Sequence, residues 1–244
     1  EKQPPKTEWI DKMNGKEALK VMLESQSQSI DAVKLALDDI LKVSEAIYNK
    51  LDKVPNSRII YAGAGTSARI CVQDGTELFP TFGWPKERID FLVAGGLNAL
   101  TESIENAEDN VEYGEEIVKK IKISESDVVI ALSASGTTPF AVSVINSSNK
   151  LNALTIGIGN NVGTKLQKIA NLSITLNTGY ELLAGSTRLK AGTAQKICLN
   201  LISSLVMCKL GLIKNGLMIN MIPTNKKLLD RKLKIKSYIQ NQGS

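Results

Sequence analysis

RIIYAGAGTSAR, residues 58–69, runs from an apolar stretch through a glycine-rich turn towards a helix. Ile59, Ile60 and Tyr61 are strand formers, Gly63 and Gly65 interrupt them, and Thr66 and Ser67 stand where a helix would open. Gly63-x-Gly65-x-x-Ala68 satisfies a loose dinucleotide fingerprint. A dinucleotide site, however, needs an acidic residue at the end of the second strand to hold the ribose. Here that strand ends Val93-Ala94-Gly95-Gly96, and no G-x-x-x-x-G-K-[ST] occurs anywhere in the chain. A phosphorylated small molecule suits the turn better than a nucleotide.

The same order of strand, turn and helix recurs along the chain. Apolar runs at 59–63, 89–95, 127–134, 153–159 and 172–176 alternate with helical stretches, the last of them long and running from Ser186 to Leu210. Continuous apolar strands separated by crossover helices predict a parallel sheet covered on both faces. The expected architecture is a three-layer α/β fold with a five-stranded parallel sheet. Residues 1–52 read as a helical arm, 53–212 as the sheet domain and 213–244 as a helical extension. In the arm, Ile30, Val33, Leu37, Ile40, Leu41 and Ile47 recur at helical spacing.

Composition narrows the chemistry. The chain has 244 residues, 43% of them hydrophobic, and no histidine. Ser-His triads, histidine-bound zinc and imidazole acid–base work are thereby excluded. Its three cysteines, Cys71, Cys198 and Cys208, lie in apolar helical contexts and read as reduced thiols of a cytoplasmic protein. No apolar run approaches the roughly 20 residues of a membrane span, and the opening EKQPPKTEW is too polar for a signal peptide. Much of the net charge of +5 lies in KKLLDRKLKIK, residues 226–236. Nucleic-acid binding would pair such a stretch with a stacking platform, and only Tyr238 is nearby, so it reads as a solvated helix face.

In parallel sheets ligands bind beyond the carboxyl ends of the strands, where helix amides point outward. Three loops there are rich in small and hydroxylated residues. The first offers Gly65, Thr66 and Ser67; the second, SASGTTP at 133–139, offers Ser133, Ser135, Thr137 and Thr138; the third, AGSTRLKAGT at 184–193, offers Ser186 and Lys190. One such loop alone is better read as a helix cap. Three at corresponding strand ends favour a phosphate site, with Glu181 in ELLAGS as a neighbour.

These loops carry a resemblance. GAGTSAR, DGTELFPTFG (74–83), LVAGG with ENAED (105–109), SASGTTP, GSTRLKAGTAQK (185–196), NGLMINMIPTNKKL (215–228) and the lead-in TEWIDKM (7–13) resemble the N-acetylmuramic acid 6-phosphate etherase family. That family has the sugar isomerase (SIS) fold, which the glucokinase regulatory protein shares. Ala68, Thr137 and Lys226 stand where the family motifs usually have glycine, arginine and glutamate. The resemblance implies cleavage of the D-lactyl ether of N-acetylmuramic acid 6-phosphate, by elimination from the open-chain sugar and then hydration. It implies neither metal nor cofactor, a homodimer, and two carboxyl groups, mapped to Glu77 and Glu108. Glu77 is assigned as acid and Glu108 as base, though the roles are exchangeable. The alternative it leaves is a non-catalytic sugar-phosphate sensor. Read from its neighbours, Glu77 lies before the apolar pair Leu78-Phe79 with Pro80 ending its helix, and partial burial is expected to lift its pKa.

Overall fold

The computed structural model describes residues 3–102, 104–223, 226, 229 and 230. Five parallel strands form the central sheet: β1 (Ile59–Gly63), β2 (Ile89–Val93), β3 (Val128–Ser133), β4 (Leu154–Gly159) and β5 (Leu172–Thr175), in the order β2-β1-β3-β4-β5. β3 lies in the middle because its run Val-Val-Ile-Ala-Leu can be buried on both faces, and every residue of it is buried. All five strands therefore end on one side of the molecule, where the three hydroxylated loops emerge.

Helices α1 (Gly15–Leu35), α2 (Leu37–Lys53), α3 (Gly65–Phe82) and α7 (Lys190–Lys209) form one layer; α4 (Val111–Lys120), α5 (Pro139–Asn149) and α6 (Lys165–Ile169) form the other. Tyr61, Ile130, Ile156 and Ile174 point into the first core, and Ile60, Val129 and Ala131 into the second. α3 lies close on the sheet because Gly75 has no side chain: a Cβ there would approach the Phe91 ring at 2.6 Å and Tyr61 at 2.9 Å. Between α3 and α7, the buried Asp74 carboxylate accepts hydrogen bonds from Tyr61 Oη (2.9 Å), Asn200 Nδ2 (2.8 Å) and Ser203 Oγ (3.0 Å).

The arm is two helices that break at Ala36 and pack on α7. Its expected apolar stripe divides. Val33, Ile40 and Ile47 are buried, whereas Ile30, Leu37 and Leu41 are exposed along with Leu19, Leu23 and Leu35.

Three expectations need correction. α3 does not stop at Pro80 but continues to Phe82 and is closed by Gly83 in the left-handed region, whose N–H bonds to Phe79 O at 2.9 Å. The last helix begins at Lys190 rather than Ser186. Residues 213–218, expected to open a helical extension, form the antiparallel ribbon β6 (Ile213–Lys214) and β7 (Leu217–Met218) around Asn215-Gly216. Most of the basic stretch 226–236, and Tyr238, lie outside the described residues.

At the end of the sheet opposite the loops, Arg58 forms a fork with Asp127 (Nη2 to Oδ2, 2.8 Å; Nε to Oδ1, 2.9 Å) and reaches Asp90 Oδ2 at 2.9 Å. Burial alone would lift the Asp127 carboxyl, but Arg58 and the Ser124 N–H outweigh it and hold its pKa below the usual range. A carboxyl depressed in the fold adds stability at neutral pH that is lost as the solution is acidified through the carboxylate range. Arg58→Met should therefore cost about 3–5 kcal/mol in urea unfolding at pH 7. The gap from the parent should narrow below about pH 4. A gap that is unchanged at low pH would contradict this.

Candidate functional site

The three loops meet in a cleft of about 360 Å³ lined by Gly65, Thr66, Ser67, Ser133, Ser135, Thr137 and Thr138, with Glu108, Asp109 and Thr187 at its sides. α3 and α5 both begin here, α5 on Pro139, whose missing N–H costs nothing in the first turn. Free amides of two helix starts thus border the cleft.

Hydrogen bonds within the second loop set its hydroxyls. Ser133 Oγ accepts the Gly136 N–H (3.0 Å) and lies 2.9 Å from Thr138 Oγ1 and 3.2 Å from Ser135 Oγ. Ser135 Oγ accepts from Thr137 N (3.2 Å) and Thr137 Oγ1 (3.1 Å). Gly136 makes the turn possible: its φ is 67°, and any Cβ there would strike the Thr164 side chain. The result is a ring of neutral donors without a built-in anion.

Ser67 is held from behind. Its hydroxyl donates to Gln195 Oε1 (2.9 Å), Gln195 Nε2 donates to Asn160 Oδ1 (2.9 Å), and Asn160 Nδ2 donates to Leu176 O (3.1 Å) and Ala191 O (3.3 Å). Gln195 and Asn160 are buried. Neither is expected from sequence: Gln195 stands beside Lys196 and near Thr193 in α7 and is not marked out there.

Glu181, Ser186 and Lys190 sit differently from the other candidates. The buried Glu181 carboxylate caps α7, accepting from Ala191 N (2.8 Å) and Lys190 N (3.2 Å), and it also lines an adjoining chamber with Asn161, Asn177 and Tyr180. Lys190 is 1% exposed. Its ammonium donates to Gln28 Oε1 (2.7 Å) and lies 4.8 Å from the centre of the Tyr180 ring, while Tyr180 Oη donates to Glu8 at 3.0 Å. Burial pulls the Lys190 pKa below the usual lysine range, and Glu181 and Glu8 oppose that. Lys190 therefore fastens the arm to the sheet domain instead of lining the hydroxyl cleft. Ser186 is absent from the walls described for the cleft and for the chambers beside it.

The two carboxylates separate. Glu108 lines both the hydroxyl cleft and a second chamber of about 390 Å³ that shares Ala64, Gly65, Glu108 and Asp109 with it. Glu77 does not reach the cleft of its own chain. It lies about 18 Å along α3 from Gly65 at 1.5 Å per residue, and it is exposed, so the expected partial burial is not found. The buried side of α3 is set by Cys71, Asp74, Gly75, Leu78 and Phe82, and Glu77 falls off that stripe.

Among the described residues no group of three or more His, Cys, Asp or Glu is arranged to hold a metal, and no helix is long and apolar enough to cross a membrane.

Residues 39–149 match the model of the glucokinase regulatory protein N-terminal SIS domain. The N-acetylmuramic acid 6-phosphate etherase of Deinococcus radiodurans is 43% identical over 86% of this chain and 68% of its own. That of Oceanobacillus iheyensis is 40% identical over 96% of this chain and 79% of its own. Among solved structures, a phosphoheptose isomerase from Francisella tularensis superposes with a TM-score of 0.61 over 80% of this chain and 100% of that one, at 16% identity, a likeness of fold.

If the hydroxyl ring is the anion site, Ser133→Ala and Ser135→Ala should each weaken phosphate-ester binding about tenfold, the worth of one hydrogen bond to a charged group. Ser186→Ala should leave it unchanged. Calorimetry with glucose 6-phosphate reads the difference, and equal affinities across all three variants would move the anion elsewhere.

Proposed function

The chain belongs to the N-acetylmuramic acid 6-phosphate etherase family, and on that premise we propose how its cleft performs the reaction. The substrate is N-acetylmuramic acid 6-phosphate, and the products are N-acetylglucosamine 6-phosphate and D-lactate. The observation that carries this reading is the position of Glu108 on the wall common to the hydroxyl cleft and the second chamber. A sugar whose phosphate lies on the Ser133–Thr138 hydroxyls can extend towards that carboxylate.

In the open-chain sugar the C1 aldehyde acidifies the proton at C2. Glu108 takes that proton, the C3–O bond breaks, and its electron pair leaves with the lactyl oxygen, which an acid protonates. The remaining C2=C3 double bond then takes up water, hydroxyl at C3 and proton at C2. Glu108 makes no hydrogen bond or ion pair within the described residues, which leaves it free for proton transfer. The reaction is that of a carbon–oxygen lyase.

Glu77 is the proposed acid, serving the cleft of a second chain; its absence from the lining of its own cleft supports that reading. Two features support a homodimer: the exposed apolar residues of α1 and α2, and a groove of about 230 Å³ between the arm and Leu182 and Leu189. The setting is cytoplasmic, in keeping with free thiols at Cys71, Cys198 and Cys208.

D-Lactate should be released from N-acetylmuramic acid 6-phosphate, including in the presence of chelator. Glu108→Gln should keep binding and lower the rate about 10²–10⁴-fold. Glu77→Gln should do the same, and mixing the two inactive variants should restore part of the activity through hybrid dimers. Full activity in Glu108→Gln removes it from the mechanism; mixing without rescue places both groups in one chain.

A further inference from the structure

Arg69 stands one turn into α3, on the wall of the second chamber. Its Nε donates to Leu100 O at 2.8 Å and its Nη2 to Ala99 O at 3.2 Å, which fix the guanidinium plane against the turn Leu97–Leu100. Among the described residues, no hydrogen bond engages Nη1. Glu102, Glu105 and Asp109 line the same chamber, yet none forms an ion pair with Arg69 within 4.0 Å. Among the described residues that line the hydroxyl cleft and the two chambers beside it, Arg69 is the only cation.

The proposed substrate carries two anionic groups at different places. Neutral hydroxyls and helix amides can hold the phosphate, a group with many acceptor oxygens. A lone carboxylate is recognised best by the planar fork of a guanidinium. In the lactyl ether that carboxylate is only two bonds from the oxygen that leaves. Glu108 is on the wall common to cleft and chamber, so a substituent at C3 has room to extend into the chamber that Arg69 lines.

We propose that Arg69 binds the lactyl carboxylate and so selects sugars that bear the ether to be cleaved. The inference rests on the etherase reading for the identity of the ligand. The acidic neighbours sharpen the requirement, because without Arg69 the incoming carboxylate would face Glu102, Glu105 and Asp109 unopposed. They also disfavour retention of free lactate once the ether is broken. Arg69 touches no reacting atom; it binds and orients the leaving group.

The test uses ligands that cannot react. Reduction at C1 to the alditol removes the carbonyl that acidifies C2. Calorimetry would compare the alditols of N-acetylmuramic acid 6-phosphate and N-acetylglucosamine 6-phosphate, together with the lactyl carboxamide of the first. The parent protein should prefer the lactyl alditol by about 10–100-fold, the range expected for charge-assisted hydrogen bonds. The neutral carboxamide should lose most of that preference on the unmutated chain. Arg69→Gln, which keeps a donor for the Ala99 and Leu100 carbonyls, should lose the preference while binding the des-lactyl alditol as before. No preference in the parent, or an undiminished one in Arg69→Gln, overturns the proposal. A chain that shows the preference but never releases lactate refutes the lyase reading and leaves the Arg69 site standing.

Discussion

The hydrogen-bond chain from Ser67 through Gln195 to Asn160 is the constraint on which the site depends. It joins the start of α3, the first turns of α7 and the end of β4, three elements far apart in sequence. Each member is buried, so a missing partner would leave an unsatisfied polar group at a cost of about 1–3 kcal/mol. The chain is finished by carbonyls of Leu176 and Ala191, which ties β5 and α7 to the same network. Loop positions that a parallel sheet would bring only roughly together are thereby fixed relative to one another.

Charge is distributed around that frame with economy. The wall proposed to bind the anion is built from hydroxyls and amides, and two lysines of α7 stand apart from it: Lys190 is turned towards Gln28 and Tyr180, and Lys196 lies beyond Gln195. The carboxylate-bearing residues Glu108 and Asp109 line both cavities. In the proposed reading a phosphate has one favourable end of the cleft, and the reacting carbons are assigned to the other.

Much of this was legible in the sequence, and the failures have physical causes. The strands are readable because runs such as Val128–Leu132 are apolar at every position and are bounded by polar residues, here Asp127 and Ser133. The hydroxyls of the first two loops could be found because they directly follow strands. The expected burial of Glu77 is not found within the chain: adjacent apolar residues suggest it, whereas a helix turns 100° per residue and carries Glu77 away from the face that holds Asp74 and Leu78. Pro80 suggests a stop, but the cap at Gly83 closes the helix beyond it. Asn215-Gly216 is a strong hairpin signal, and it outweighs the helical reading of the residues from 213 to 218. The roles of Lys190 and Glu181 could not be read, since each depends on partners that only the fold brings together: Gln28 and Glu8 from the arm, and the first amides of α7.

The central claim is that this cleft removes lactate by elimination and rehydration of the sugar, and isotopic labelling tests it directly. With N-acetylmuramic acid 6-phosphate turned over in H₂¹⁸O and D₂O, nuclear magnetic resonance should find one ¹⁸O at C3 of the sugar and one deuterium at C2. The released lactate should keep its original ether oxygen. Label in the lactate hydroxyl, or an unexchanged hydrogen at C2 of the product, would mean that the carbon–oxygen bond is broken by another route, and would contradict the account.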